Sequence, residues 1–427
     1  MNCVSPTSIR KRVIKMNNEN SQSGSVSQSK KPVLSLILCS RNDNYMGNPR
    51  YRLEIALNYL AQSVQAMGRE DDVEVIVADW GSEAPLHSVV KLSPAAARLV
   101  SFVVIPPETA REQQKDSPFS EVHALNAAAR RVNGQYIGRI DQDTLVGKHF
   151  LEFFFELYEG KRSIDTPVDG SLLFANRRSI AYRFADRCPA FGHVDRYIRW
   201  FAPYMKVWNY NPHTKIFWTS YVGVLLVHRD GWHEFGGYNE QLIYYDWMEV
   251  DLILRLRQKY PVVDLGKLTD YDFYHLDHYQ LHASWSAVLH PRATSAKSNS
   301  YILDLDTPPE VSHPNGEDWG LRPYDLEIVK GTETATTTSA TAETNPLVFI
   351  LLLLLALLRA SWDTINLGLF RLVMGLRSFF LTYVMKIWWF LFAPSSWRGR
   401  IQTFQEITSG QPVHSWPKLL MTRFYQK

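Results

Sequence analysis

Apolar and polar positions fall in long alternating blocks along the first third of the chain. The run "VLSLILCS" is apolar nearly throughout and closes on the polar cluster Ser40-Arg41-Asn42-Asp43, the pattern of a strand buried on both faces. From Arg50 to Met67 the apolar positions Leu53, Ala56, Leu57, Leu60 and Val64 recur at helical spacing, and "VEVIVADWGS" then repeats strand followed by polar loop. Strand, helix, strand in that order predicts a right-handed parallel unit. "VSFVVIPP" reads as a third strand, Glu121 to Val132 as an Ala-rich helix, and "GQYIGRIDQD" as a fourth strand. The alternation predicts an α/β sheet whose polar loops gather at the strand C-terminal ends, where open sheets bind ligands.

The pattern then weakens. Lys161 to Thr214 is rich in Arg and aromatics with poor periodicity, and is expected to be an irregular insertion over one face. "YVGVLLVHRDGWHEFGGYNE" restores order as a strand, a turn and a short helix ended by paired glycines. Tyr244 to Lys259 reads as a helix that opens with acids and closes on Arg255, Arg257 and Lys259, a charge order that suits the helix dipole. The Thr-rich "GTETATTTSATAETN" is a low-complexity linker, and no internal repeat is present.

Beyond it, Pro346 to Leu358 passes without a charge, after which Arg359, Asp363, Arg371, Arg377 and Lys386 punctuate an apolar segment reaching Pro394. A simple membrane span needs about 20 apolar residues, and no uncharged run here is that long. Two helices fit better, near 346–368 and 372–393, crossing as a hairpin or lying in the interface, with Trp388, Trp389 and Phe392 beside Lys386 as interfacial anchors. A buried helical pair packed on the preceding domain is the alternative. The basic residues Arg398, Arg400, Lys418, Arg423 and Lys427 keep the tail on the cytosolic side, and the Ser/Asn/Gln-rich start, without an apolar signal core, puts the N-terminus there too.

Composition narrows the class. The 427 residues, 45% hydrophobic and 21% charged, support a real core, and a net charge of +3 left by 46 basic and 43 acidic side chains offers no field that would attract nucleic acid. Cys3, Cys39 and Cys188 stand far apart, which excludes a disulfide framework or a cysteine zinc cluster and, with no Asn-x-Ser/Thr acceptor present, fits a reducing compartment.

Chemistry concentrates at Asp141-Gln142-Asp143, directly after the strand "QYIGRI". Two acids one residue apart at a strand's C-terminal end supply hard oxygen ligands for Mg²⁺ or Mn²⁺, an ion that bridges a diphosphate and neutralises a departing nucleotide. Acid-x-acid is also a common solvated turn, so context has to carry the assignment.

That context is a set of five ordered blocks. "VLSLILCSRND", "VEVIVADWGS", "HALNAAARRVNGQYIGRIDQDTLV", "YVGVLLVHRDGWHEFGGYNE" and "WMEVDLILRLR" together resemble family 2 glycosyltransferases of the GT-A fold, over roughly Pro32 to His290 with Lys161 to Thr214 unmatched. The resemblance implies a mostly parallel central sheet flanked by helices. It divides the chain into a disordered tail at 1–31, a GT-A domain at 32–325 with a variable acceptor-side insertion at 161–214, a linker at 326–345, two apolar membrane-associated helices at 346–394, and a basic cytosolic tail at 395–427.

The resemblance also distributes roles. It maps a base-contacting acid to Asp79, with Trp80 where a second Asp is usual, and places Arg41, Asp43, Asn126 and Asp141 on the donor side. It makes Asp141 and Asp143 metal ligands, the second the more direct, with His278 or His275 from "FYHLDHYQLH" completing the shell. The family's Glu-Asp pair at the start of the late helix falls on Met248 and Glu249, so Glu249 is the expected catalytic base, with Asp251 and Asp246 as alternatives. All three acids also read as a solvated helix start, and positions 246 and 249 share a helix face from which 251 turns away. Trp218 and Tyr221 are the aromatics placed to stack on an acceptor sugar. Arg177, Arg178 and Arg183 read either as phosphate or acidic-acceptor contacts or as a solvated basic face.

The expected activity is therefore metal-dependent transfer of a hexose from a nucleotide-diphosphate sugar, a UDP-sugar first among them, to a hydroxyl on a lipid or glycan at the membrane, with inversion. The alternative is a non-catalytic, membrane-tethered relative that binds a nucleotide sugar or glycan. A nucleotidyltransferase or an NAD enzyme would bring a Gly-rich phosphate loop after the first strand, and "CSRNDNYMGNPR" is not one.

Overall fold

The computed structural model describes residues 31–45, 47–205, 222–244, 248–278, 299, 313–334 and 345–379. Leu34–Ser40 (β1) leads into Pro49–Gln65 (α1), Val73–Trp80 (β2), Leu86–Val89 (α2), Pro94–Leu99 (α3), Val100–Ile105 (β3), Pro107–Gln114 (α4), Glu121–Ala129 (α5) and Tyr136–Arg139 (β4). Thr144–Val146 (β5), Lys148–Tyr158 (α6), Leu172–Asn176 (β6), Arg178–Ile180 (β7), Tyr182–Ala185 (α7) and Phe191–Phe201 (α8) follow. Val222–His228 (β8), Arg229–Glu234 (α9), Met248–Leu256 (α10), Val262–Asp264 (β9), Leu265–Leu268 (α11), Phe273–Leu276 (β10), Glu327–Lys330 (β11) and a C-terminal helix, Pro346–Phe379, complete the order.

The sheet runs β11-β3-β2-β1-β4-β8-β6-β9, and a smaller sheet runs β5-β10-β7. Strands β1 to β4 are mutually parallel where they pair, β8 lies antiparallel between β4 and β6, and β11 lies antiparallel on β3. This order is consistent with the expected GT-A type of α/β fold. Pleat alternation sends Leu34, Leu36, Leu38, Val73, Val75 and Val77 into a core under α1, α3 and α6. Their neighbours Ile37, Ile76, Ala78 and Trp80 enter a second core under α5, α9 and α10. Burial on both faces explains why these strands are continuous apolar runs. In register, Ser40 stands opposite Asp79 and Ile37 opposite Arg139, so the loops after β1, β2 and β4 open on one edge.

Three expectations need correction. The stretch 161–214 is not an irregular cover in its described part, because β6 is a full member of the main sheet and β7 of the small one. The linker does not begin at 326, since Glu327–Lys330 pairs with β3 and Glu333 bridges Leu92. Finally, the two apolar helices expected to break between 368 and 372 are one helix through that point, and residues 380–394 lie outside the described part. Among the described residues no helix is long and apolar enough to cross a membrane. The C-terminal helix buries Phe349 against Phe184, His193 and Trp200, while Leu347, Ile350, Leu351, Leu354, Leu357 and Leu358 stay exposed.

Candidate active site

Strand β4 delivers Arg139 and then Asp141 to the open edge, and the turn that closes with the Thr144 amide on the Asp141 carbonyl (3.1 Å) presents Asp143 beside them. The small sheet supplies the partners. Strand β10 runs antiparallel to β5 with His275 opposite Thr144, and the Leu276 amide donates to the Asp143 carbonyl at 3.0 Å. His275 and, two residues past the strand, His278 are thereby carried across 132 and 135 positions of sequence to one carboxylate. His275 Nε2 lies 3.3 Å from Asp143 Oδ1 and His278 Nε2 3.6 Å from Oδ2, with the two rings nearly perpendicular.

One ligand atom from each of Asp143, His275 and His278 lies within 4.8 Å of the others. His275 Nε2 is buried without a hydrogen-bond partner and faces the carboxylate. A buried nitrogen in that state is costly unless something satisfies it, and one carboxylate with two imidazoles is a donor set for a divalent transition-metal ion. Burial alone would raise the Asp143 carboxyl, but His275, His278 and Arg177 outweigh it and hold it well below the usual carboxylate range. Burial keeps the His278 imidazole below its ordinary value despite Asp143, so it stands neutral and ready to ligate.

Three arginines surround these acids. Arg139 Nη2 meets Asp141 at 2.7 Å and both Glu121 and Glu249 at 2.8 Å. Arg177, at the end of β6, donates Nη1 to Asp141 Oδ2 and to Thr144 Oγ1 (3.0 Å), with Asp143 Oδ1 at 3.7 Å. Arg52, in the first turn of α1, places Nε 3.4 Å from Asp143 Oδ2 and donates to the carbonyls of Tyr45 and Gly47. All three guanidinium side chains are buried. The four carboxylates of Glu121, Asp141, Asp143 and Glu249 thus gather around three guanidiniums. Burial raises Glu249 above the carboxylate range although Arg139 opposes it. Burial likewise pushes Glu121 up to about 7, with Glu249 and Asp141 adding to the rise against Arg139.

The remaining expected residues sort by position. Arg41 and Asp43 sit in the first loop and pair with each other at 2.7 Å, Arg41 also reaching the Pro118 carbonyl. Asp79 is fully buried and its two oxygens accept from Ser82 Oγ and the Leu86 amide (2.6 Å), so it fastens its own loop instead of facing a ligand. Asn126 is also fully buried and clamps the Tyr238 amide and carbonyl, each at 2.8 Å. Gly237 and Gly320, at φ near +65° and +68°, let two loops pass tight against it. Asn126 is thus a structural latch. Asp251 faces Arg255 at 2.8 Å, whose guanidinium also holds the Phe235 and Gly237 carbonyls at 2.7 Å, so this acid anchors α10 and leaves the cluster to Glu249. Arg178 is buried against the Ala202 carbonyl and Asp270, and Arg183 stacks on Tyr182, so the basic run is no solvated face. Asp246, Trp218 and Tyr221 lie outside the described residues.

No protein-family model matches the chain, and no curated protein does. Among solved structures it is similar to S. aureus TarS 1-349, at 12% identity over 57% of this chain and 60% of that one, with a TM-score of 0.37. Against another structure of TarS the match takes in 36% of that chain, so this protein spans well under two thirds of it. It is also similar to the catalytic domain of Drosophila beta1,4galactosyltransferase 7 in complex with xylobiose, at 13% identity over 59% and 73% of the two chains, TM-score 0.32. A mutant of that enzyme was solved with manganese, UDP-Gal and xylobiose. At these identities and scores the likeness is one of chain course, and what the cluster can do follows from its own side chains.

Sequence reasoning missed Arg52, Arg139 and Glu121, and left Arg177 undecided between an anion contact and a solvated face. The available signal was Arg139: a charge inside the otherwise apolar strand "YIGRI" demands buried counter-charges.

Proposed function

We propose that this chain is a metal-dependent glycosyltransferase that moves a sugar from a nucleotide-diphosphate donor to a hydroxyl acceptor. The observation that carries the reading is the convergence of Asp143, His275 and His278 beside Asp141 at the C-terminal edge of a parallel sheet. Asp143 and the two histidines would hold Mn²⁺, with Asp141 adjacent. The ion supplies charge neutralisation to the departing diphosphate.

Glu249 takes the proton of the acceptor hydroxyl. Burial raises its carboxyl above the ordinary value, the direction that strengthens a carboxylate as a base. Arg139 holds it in place and keeps it ionised enough to accept. Direct displacement opposite the leaving group inverts the anomeric carbon. The exposed leucines at 347, 351, 354 and 358, spaced at turns of one helix, support docking on a membrane surface, with a lipid-linked or glycan acceptor brought to the cytosolic face.

The test is transfer and donor hydrolysis by the full chain with a panel of UDP-sugars, with Mn²⁺ or with chelator. Activity should require the metal, fall at least 100-fold in Asp143→Asn, and fall similarly in Glu249→Gln with donor binding retained. Full activity in Asp143→Asn defeats the metal assignment. Donor binding without transfer by the native chain moves the reading to a non-catalytic nucleotide-sugar binder.

A further inference from the structure

Arg177 stands where two different ligands of the cluster would have to meet. Its Nη1 touches Asp141 Oδ2, lies 3.7 Å from Asp143 Oδ1 and hydrogen-bonds Thr144 Oγ1 at 3.0 Å. It therefore bridges the acid pair and shares Asp143 Oδ1 with His275 Nε2, which lies 3.3 Å from the same oxygen. A divalent cation on Asp143 draws on the same carboxylate charge. A guanidinium within contact of those oxygens repels it and occupies part of their coordination sphere. Cation and guanidinium are antagonists at one pair of acids.

The fold does not bury a third arginine here for charge balance alone. With Arg52 and Arg139 already facing the acids, Arg177 is a third cation on them, and a dication beside it would leave a surplus of positive charge. That surplus is a site for a dianionic group. A guanidinium released from carboxylate recovers its hydrogen bonds best on phosphate oxygens, whose geometry matches its planar fork. Thr144, at the root of β5, offers a pivot about which the side chain can exchange one anion for the other without leaving the site.

Resting on the proposed function, we propose that Arg177 is a phosphate-binding residue held in reserve on Asp141 and Asp143. It opposes the metal while the donor is absent and moves to the donor's diphosphate when metal and donor bind together. The consequence is coupling: the metal binds weakly alone and tightly with a diphosphate, and by reciprocity the diphosphate binds tightly only with the metal.

The experiment measures Mn²⁺ binding by the loss of the free-ion electron paramagnetic resonance signal, with and without UDP, in the native chain, Arg177→Gln and Arg177→Lys. Native protein should bind Mn²⁺ at least tenfold more tightly when UDP is present. Arg177→Gln should bind Mn²⁺ alone several-fold more tightly than native and UDP with Mn²⁺ at least tenfold more weakly, two shifts of opposite sign that general damage to the fold would not produce. Arg177→Lys, which keeps the charge, should lie between and serves as the readout if the Gln variant fails to fold. Shifts of the same sign, or none, overturn the role of Arg177. Absence of Mn²⁺ binding by the native chain even with UDP overturns the metal reading itself, a separate result.

Discussion

Arg139→Met tests whether the site is built on one shared guanidinium. The side chain is buried and its Nη2 lies 2.7 to 2.8 Å from three carboxylates. At an effective dielectric of about 20 each such contact represents roughly 6 kcal/mol of attraction before desolvation. Desolvation and repulsion among the acids remove most of that, and loss of one partner from a buried pair costs about 3–5 kcal/mol. Methionine replaces much of the volume, so the effect is electrostatic. Its sign with pH follows from the raised carboxyls of Glu121, near 7, and Glu249. An acid whose folded pKa lies above its unfolded value contributes stability below the unfolded value and loses it as pH rises through the folded one. Removing Arg139 drives both folded values higher, so the penalty should be smaller near pH 5, where Glu121 is protonated, and about 3–5 kcal/mol near pH 8. Urea unfolding followed by the fluorescence of the buried Trp80 and Trp232 measures it. An equal loss at both pH values, or a smaller one at pH 8, refutes the shared-cation account.

Two further outcomes are expected. His123 is buried and its imidazole is pushed down to about 4 by burial and by Lys115. A lowered base costs stability as pH falls below its unfolded value, so acidification from pH 7.5 to 4.5 should remove roughly 2–3 kcal/mol more from the native chain than from His123→Gln, read from urea midpoints. Phe349→Ala should loosen the seat of the C-terminal helix by about 3–5 kcal/mol. Amide exchange should quicken in α8 and that helix and stay unchanged in β1 to β4, and equal exchange in both variants would show that the ring does not hold the helix.

The half of the fold built from β1 to β4 was legible because strands covered on both faces must be apolar almost throughout, and helices covered on one face must show a 3.6-residue period. β6 escaped notice although "SLLFAN" is apolar, because Arg177 and Arg178 follow at once and hydropathy reads arginine as surface. β11 escaped because an edge strand with exposed side chains carries no burial pattern. The site shows the same divide. Asp143 announces itself by spacing at a strand end, whereas its guanidinium neighbours come from α1 and the end of β6 and meet only after the sheet has formed. Asp251 was ambiguous on local grounds, yet Arg255 four residues on was the sign that this acid had a structural partner.

β11 also determines where the chain can be cut. Its backbone occupies the open side of β3 from Ser101 to Val104, and the residues after it reach Leu92 through Glu333. A shortened protein ending before 327 would leave β3 with a bare row of amides and carbonyls, an invitation to pair with another molecule. One ending just past 334 would keep that border sealed. β11 and the residues after it as far as 334 thus act as the hem of the sheet, and their presence decides whether an isolated sheet domain stays single in solution.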